Sequence, residues 1–507
     1  MILLIFYYNF DNFEKRIIYN TSPYLLYGGE IIVKKLQIIV LFIFLIISSV
    51  IPLDVFAIEI DSISVIQDLK EKNQNYIADF DIIIITPSSF KSYLEPLIEH
   101  KNNIGLKTNL IEIKDIYDGK YFNVQGRDNQ EKIKYFIKDA IENWGISYVL
   151  FVGNYEDIPV RFCYNNDNYS NYPELKFVSE LYFADIYDSE GYFSSWDSDN
   201  DGIFGKWAGI TAEDKPIDLI PDICLGRLPC NNKNEVEIVV NKIINYEENP
   251  ADPSWFKRFV VAGGDTYLEF QGNEGEIYNQ KAIDVMDGFT AIKLWASNNK
   301  LSKQGFSLIS NINKGCGFLY LSGHGNTNVW VTNTPDQSQA GYFGLLQQLF
   351  LFNSNKLPVC LVGGCHNSEF NLEVTPIVKN NFYFLTWIKN CWSWRMVSKK
   401  NGGTIATIGT TGLCWYSAEY DGGGTDFLNI QFFKEYKNDT VIIGQIWKNA
   451  ITKFLEVYPI NWKTPAGGNH SLDAKTVQEW TLIGDPSLII GGSKIRSTFE
   501  NIFDNHL

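Results

Sequence analysis

Two short stretches carry side chains that can do covalent chemistry together: Leu321-Ser322-Gly323-His324-Gly325 and Val362-Gly363-Gly364-Cys365-His366-Asn367. Each follows an apolar β-type run, Gly317 to Leu321 and Leu357 to Val362. Each is therefore expected to deliver its residue just past the carboxyl end of a strand, where open α/β sheets build their sites. A thiol and an imidazole placed this way read as the nucleophile and general acid/base of acyl transfer. The flanking glycines let a substrate backbone approach. Either residue alone would more often be structural, since cysteine is among the most buried residue types. Their joint occurrence at two Gly-flanked strand ends points to a site. His366 points elsewhere if the chain is extended there and is read as structural. A zinc site through Cys365, His366 and His324 lacks any further His or Cys at zinc-like spacing.

The elements that must position this pair follow from hydrophobic patterning. Asp79 to Thr86 and Tyr148 to Gly153 are continuous apolar runs of the kind buried on both faces of a parallel sheet. They alternate with helical patterns near Phe90 to Lys101 and Asp128 to Trp144, which predicts βαβ units and a first α/β lobe over 58–165. An irregular stretch over 166–220 follows. A second, catalytic lobe is expected over 221–492, with a tail over 493–507. Its strands include Arg258 to Ala262, ending in Gly263-Gly264-Asp265, then the His324 and Cys365 strands, then Gly403 to Ile408 opening into the loop Gly409 to Ser417. Three consecutive strand ends thus converge on one rim. The fold class is α/β: open, mostly parallel sheets flanked by helices, in two lobes.

Composition bounds the function. The 507 residues carry 43 Lys+Arg against 59 Asp+Glu, a formal charge of −16 that argues against nucleic-acid binding through a basic face. The eight cysteines form no CxxC pair, and a reserved nucleophile would leave an odd number of others. Within the irregular stretch, Asp197-Ser198-Asp199-Asn200-Asp201-Gly202-Ile203 reproduces the start of an EF-hand-type loop. Asp197, Asp199, Asp201 and the backbone of Ile203 are the expected ligands of a structural Ca²⁺. Position twelve is Ala208, so Glu213, Asp214 or Asp218 would have to close the shell. The other reading is a solvated acidic turn. Near the amino end, Lys34-Lys35, an apolar run to Ile51 and Val55-Phe56-Ala57 make the three parts of a signal peptide over 33–57. An uncleaved anchor is the alternative, and it would be the chain's one contact with a membrane. Residues 1–32 have no structural role in this reading, and translation is expected to begin at Val33. If so, Gly28-Gly29-Glu30 encodes a ribosome-binding sequence, which the codons decide.

Taken in order, strand-Asp222, strand-Gly-His324-Gly, strand-Gly-Cys365 and strand-loop-Trp415 resemble the gingipain-type cysteine peptidases, the C25 family of the caspase-like fold group. Asp222 to Pro229 (DICLGRLP), Gly317 to Gly325 (GFLYLSGHG), Gly363 to Asn367 (GGCHN) and Gly484 to Leu488 (GDPSL) carry the likeness. The resemblance implies Cys365 as nucleophile and His324 as general acid/base. It implies backbone N–H groups of Gly325 and Cys365 as the oxyanion hole, and Asp222 as the acid behind the histidine. It further implies Trp415 as a wall of the primary specificity pocket and Glu235 as an acid reading a basic substrate side chain. The expected function is a secreted or cell-surface cysteine endopeptidase acting on proteins or peptides through a thioester, with no catalytic cofactor. The competing readings are a sortase-like transpeptidase of the same fold and a catalytically idle surface or binding protein.

Overall fold

The computed structural model describes residues 79–167, 174–266, 272–372, 389–415 and 424–492. All of them lie in one unit spanning Ala78–Leu507. The signal-peptide segment, the 1–32 segment and the 493–507 tail fall outside the described residues.

The aliphatic runs become the central strands. The chain forms β1 (Ile82–Thr86), α1 (Lys91–Asn103), β2 (Thr108–Glu112), α2 (Ile113–Tyr117), α3 (Asn129–Trp144) and β3 (Tyr148–Val152). Every residue of β1 and β3 is buried, as a strand covered by helices on both faces requires. The bounds of α3 are set by its ends. The Asp128 side chain accepts the Glu131 N–H, and Gly145 closes the helix in the left-handed conformation with its N–H on the Ile141 carbonyl.

Next come β4 (Arg161–Asn165), β5 (Lys176–Ser179) and β6 (Phe204–Trp207), a small sheet in the order β5-β4-β6. The stretch expected to be irregular therefore contributes two strands and pairs them with the end of the first lobe. The second half contains β7 (Cys224–Leu228), α4 (Lys233–Glu248), α5 (Pro253–Phe256), β8 (Arg258–Gly263), α6 (Glu274–Val285), β9 (Thr290–Trp295) and α7 (Phe306–Asn313). It continues with β10 (Phe318–Ser322), β11 (His324–Asn326), β12 (Val329–Asn333), β13 (Gln339–Gly344), α8 (Leu345–Leu349), β14 (Val359–Gly363), α9 (Trp392–Val397) and β15 (Ala406–Thr410). Three helices, α10 (Gly424–Lys437), α11 (Ile443–Val457) and α12 (Asn469–Glu479), precede β16 (Trp480–Ile483). In α11 the buried residues Ile443, Ile446, Trp447, Ala450, Ile451 and Phe454 recur at helical spacing and form the face laid on the sheet.

Ten strands make one sheet in the order β2-β1-β3-β7-β16-β15-β14-β10-β8-β9. β7, which the sequence places at the opening of the second lobe, pairs in parallel with β3 of the first. The seam between the halves is closed by β16, the last strand of the described chain. It runs antiparallel to β15 and meets β7 where Ile483 faces Arg227.

Buried ion pairs pin this seam. Arg227 donates from Nε and Nη2 to the two carboxylate oxygens of Glu180 at 2.6 and 2.9 Å, and from Nη1 to the Ile158 carbonyl at 3.1 Å. Lys101 bridges Glu247 and Asp485, each at 2.8 Å, with all three side chains out of solvent. The GDPSL and GRLP stretches thus do structural work.

Candidate active site

Neighbouring parallel strands bring the two chemical residues together. β10 and β14 pair in register, Ser322 opposite Gly363 at their last rungs. His324 and Cys365 each follow two residues later. Past β10 the chain turns at once into the antiparallel ribbon β11-β12-β13, with His324 opposite Val331. The sequence reading assigned no element between the His324 and Cys365 strands and so missed the ribbon.

A buried carboxamide locks the two loops together. Asn367 is fully buried, and its Nδ2 donates to the Asn326 carbonyl at 2.7 Å and the Val329 carbonyl at 3.0 Å, both on the histidine ribbon. The same side chain lies so close that a Cβ at Gly325 or Gly364 would sit 2.4 or 2.5 Å from its Oδ1. Glycine is therefore required at both positions for contact, with no appeal to flexibility. The Cys365 loop is also tied to β15, through His366 N–H to the Gly412 carbonyl and Ser368 N–H to the Thr410 carbonyl, both 2.9 Å. Asn367 stood inside the GGCHN motif, yet nothing in its type alone marked it as the clamp.

His324 Nε2 lies 2.5 Å from the backbone carbonyl of Thr266, three residues past the end of β8. Burial holds the imidazole below its ordinary value, and the Thr266 carbonyl opposes this only in part. Cys365 is half-buried. Its thiol is held below the ordinary value chiefly by the hydrogen bond from Cys414, against the effect of burial. The Cys414 sulfur stands 3.7 Å from that of Cys365. His366 adopts φ +59°, which turns it away into a carboxylate cluster. Its Nδ1 is 3.0 Å from Glu369 and 3.7 Å from Glu174. Burial pushes this imidazole down, but the hydrogen bond and charge of Glu369, backed by Glu174 and Glu479, outweigh it and bring it up to about 9.

Asp222 is not the group behind the histidine. Its strand, β7, is separated from β10 by β16, β15 and β14. Four strand spacings are about 19 Å, beyond any hydrogen bond. Its Oδ2 instead accepts the Ile186 and Tyr187 N–H groups at 2.6 and 2.9 Å.

Glu235 is also engaged internally. Its carboxylate accepts from Asn231 N–H at 2.8 Å, Asn390 Nδ2 at 3.2 Å and Trp394 Nε1 at 3.2 Å. Those contacts clamp the start of α4 to α9 and leave it unsuited to reading a substrate cation. Trp415 directly follows Cys414 and is held by the Thr425 N–H on its carbonyl at 3.0 Å, so it stands at the rim of the Cys365 loop.

In the acidic loop, carboxylate oxygens of Asp197, Asp199 and Asp214 lie within 4.8 Å of one another. Asp201 turns away to Lys206 Nζ at 2.5 Å, and Ile203 donates its N–H to Asp201 at 2.8 Å. Asp197 also meets Arg127 at 2.6 Å. Burial raises Asp214 to about 6, and Asp197 and Asp199 add to the shift against two backbone N–H bonds. Of the sequence-expected ligands, Asp197 and Asp199 converge, and the third oxygen comes from Asp214.

Comparison with known proteins bears on the family and the fold. The model of peptidase family C25 matches residues 76–490. Gingipain R2 of Porphyromonas gingivalis is 23% identical over 421 residues, covering 81% of this chain and 46% of the relative. Gingipain R1 of the same organism is 22% identical over 421 residues, covering 81% of this chain and 34% of the relative. The chain thus spans less than half the length of these relatives. The crystal structure of the Arg specific cysteine proteinase gingipain R superposes with a TM-score of 0.56 at 19% identity, covering 82% of this chain and 79% of that one. The fold is shared with that structure.

Proposed function

The chain belongs to peptidase family C25, and from that premise we propose that it is a cysteine endopeptidase working through Cys365 and His324. The observation that carries this reading is the register of β10 against β14, which sets both residues two positions beyond facing rungs.

A carbonyl oxygen can only accept a hydrogen bond. Thr266 therefore assigns the proton to His324 Nε2 and leaves Nδ1 as the basic nitrogen. The neutral imidazole takes the Cys365 proton, and the thiolate attacks the substrate carbonyl carbon. His324 then hands the proton to the leaving amine, and water resolves the thioester. The backbone N–H groups of Gly325 and Cys365 are the donors proposed for the oxyanion, each contributing on the order of 3 kcal/mol to the transition state. The Thr266 carbonyl fixes the tautomer and orientation of the imidazole. Trp415 is proposed as a wall of the substrate pocket.

Substrates are proteins or peptides, and the charge of −16 keeps nucleic acid out of the reading. Secretion or surface display rests on the signal-peptide pattern over 33–57. Among the described residues no helix is long and apolar enough to cross a membrane. A structural Ca²⁺ held by Asp197, Asp199 and Asp214 belongs to the same proposal, since hard oxygen ligands converging at this spacing suit that ion.

The test is turnover of a peptide library by the wild-type protein beside Cys365→Ala and His324→Ala. Loss of hydrolysis in both variants is expected, and equal activity in wild type and Cys365→Ala would sink the reading. Acyl transfer to added amines without hydrolysis would favour the transpeptidase.

A further inference from the structure

A second thiol stands against the proposed nucleophile. Cys414 Sγ is 3.7 Å from Cys365 Sγ, and Cys365 Sγ is 3.8 Å from the Cys414 carbonyl oxygen. These two are half-buried, whereas Cys163, Cys224, Cys230, Cys316, Cys360 and Cys391 are buried. Burial pushes those six thiols up, which makes them poor nucleophiles. Cys414 is pushed up as well, first by the hydrogen bond it donates to Cys365 and then by burial, so the pair is set apart by its geometry: two half-buried sulfurs 3.7 Å apart.

Both members are held from behind. Cys365 is fixed by the Asn367 clamp. The Cys414 loop is fixed by the Leu413 N–H on Glu174 at 2.7 Å and the Thr425 N–H on the Trp415 carbonyl at 3.0 Å. Their parent strands β14 and β15 are adjacent and parallel. Closing the sulfurs from 3.7 Å to a bond of about 2 Å needs side-chain rotation and a shift of under about 2 Å, with no strand moved.

We propose that Cys365 and Cys414 form a redox modification site, in which a hydroperoxide oxidises Cys365 and Cys414 resolves it as a reversible intramolecular disulfide. The proposal rests on the reading of Cys365 as the nucleophile. The Cys365 thiolate attacks the terminal peroxide oxygen, the O–O bond breaks, and the product is a sulfenic acid plus water or an alcohol. Cys414 sulfur then attacks Cys365 sulfur. The S–S bond forms, the S–O bond breaks, and hydroxide leaves with the Cys414 proton as a second water. Two thiols are oxidised and one peroxide is reduced. A dithiol reverses the bond by exchange and restores the nucleophile. The disulfide silences the enzyme and shields Cys365 from irreversible oxidation to the sulfinic acid.

The reduced protein is exposed to hydrogen peroxide, alkylated, digested without reduction and mapped by mass spectrometry, with activity recovered by dithiothreitol. A Cys365–Cys414 linked peptide and recovery of most activity are expected. In Cys414→Ala the linked peptide is absent, Cys365 advances to the sulfinic acid, and recovery relative to that variant's own reduced activity falls about tenfold. Cys414→Ser serves if the alanine variant does not fold. Sulfinic Cys365 in wild type with no linked peptide, or equal recovery in wild type and both variants, overturns the proposal and leaves Cys414 as a hydrogen-bond donor only. Mapping needs no turnover. A linked peptide in a protein that hydrolyses nothing would sustain the redox site and sink the peptidase, whereas turnover without a link would do the reverse.

Discussion

Asn367→Ala removes the clamp between the nucleophile loop and the histidine ribbon, and its cost can be worked from the contacts. The side chain has no solvent exposure and supplies one donor to the Asn326 carbonyl and one to the Val329 carbonyl. Alanine leaves both acceptors without that donor in a space too tight for easy collapse. At 1 to 3 kcal/mol for a buried group left unsatisfied, and with part of each loss recovered by relaxation, the expected destabilisation is about 3 kcal/mol. Asn367→Asp should cost more than alanine, because a carboxylate oxygen then faces two carbonyl oxygens. The kinetic effect should exceed the stability effect. A Cβ at Gly364 would stand 2.9 Å from the Gly325 nitrogen, so the two backbones lie close together just where this carboxamide bridges them. A misplacement of about 1 Å between attacking sulfur and oxyanion donors is worth on the order of a hundredfold in rate. Urea unfolding followed by tryptophan fluorescence gives the first quantity, and kcat/KM on the best library peptide gives the second. An alanine variant within about 0.5 kcal/mol of wild type and with unchanged kcat would show that the loops are set by something other than this clamp.

Three further outcomes follow from the same structure. His366 is raised from 6.5 to about 9, so its contribution to stability is fully present below pH 6.5 and is lost as pH rises through about 9. That contribution is on the order of 3 kcal/mol, and His366→Asn, which tolerates the left-handed backbone, should remove that part of the pH dependence; equal slopes for wild type and variant in urea midpoints between pH 6 and 10 would refute the pairing. Arg227→Met leaves Glu180 buried and unpaired and should destabilise by about 3–5 kcal/mol, whereas Arg227→Met with Glu180→Leu should recover much of the loss in the same unfolding assay. Calcium should raise the melting temperature of wild type over a chelator control and leave Asp214→Asn unchanged; an equal rise in both would exclude Asp214 as a ligand.

Much of the site was legible because its chemistry sits on strand ends. Cys365 and His324 follow unbroken apolar runs, and their glycines mark the places where two backbones touch. The acid at Asp222 was misplaced because strand order is not written in the local sequence. Nothing near residue 222 reveals that β16, some 250 residues later, is inserted between β7 and β15. One group that meets the imidazole is a main-chain carbonyl, which any residue at position 266 would offer. Glu235 had the right charge for a specificity pocket, but its donors come from Asn390 and Trp394, about 160 residues away. In the acidic loop the carboxylates of Asp197 and Asp199 do come together. Lys206 takes Asp201 out of the set, and Asp214 enters from the far side of β6. The loop carrying Cys414 was expected on the same rim as Cys365, but the 3.7 Å approach of the two sulfurs depends on side-chain placement that spacing along the chain does not reveal.

The central claim is that Cys365 carries the acyl group. A peptide ester would be mixed with the enzyme, quenched in acid within its turnover time, and the intact protein weighed and mapped. The account predicts one acyl group per chain, located at Cys365, in wild type and none in Cys365→Ala. An acyl group on another residue, or turnover in Cys365→Ala at the wild-type rate, would contradict it.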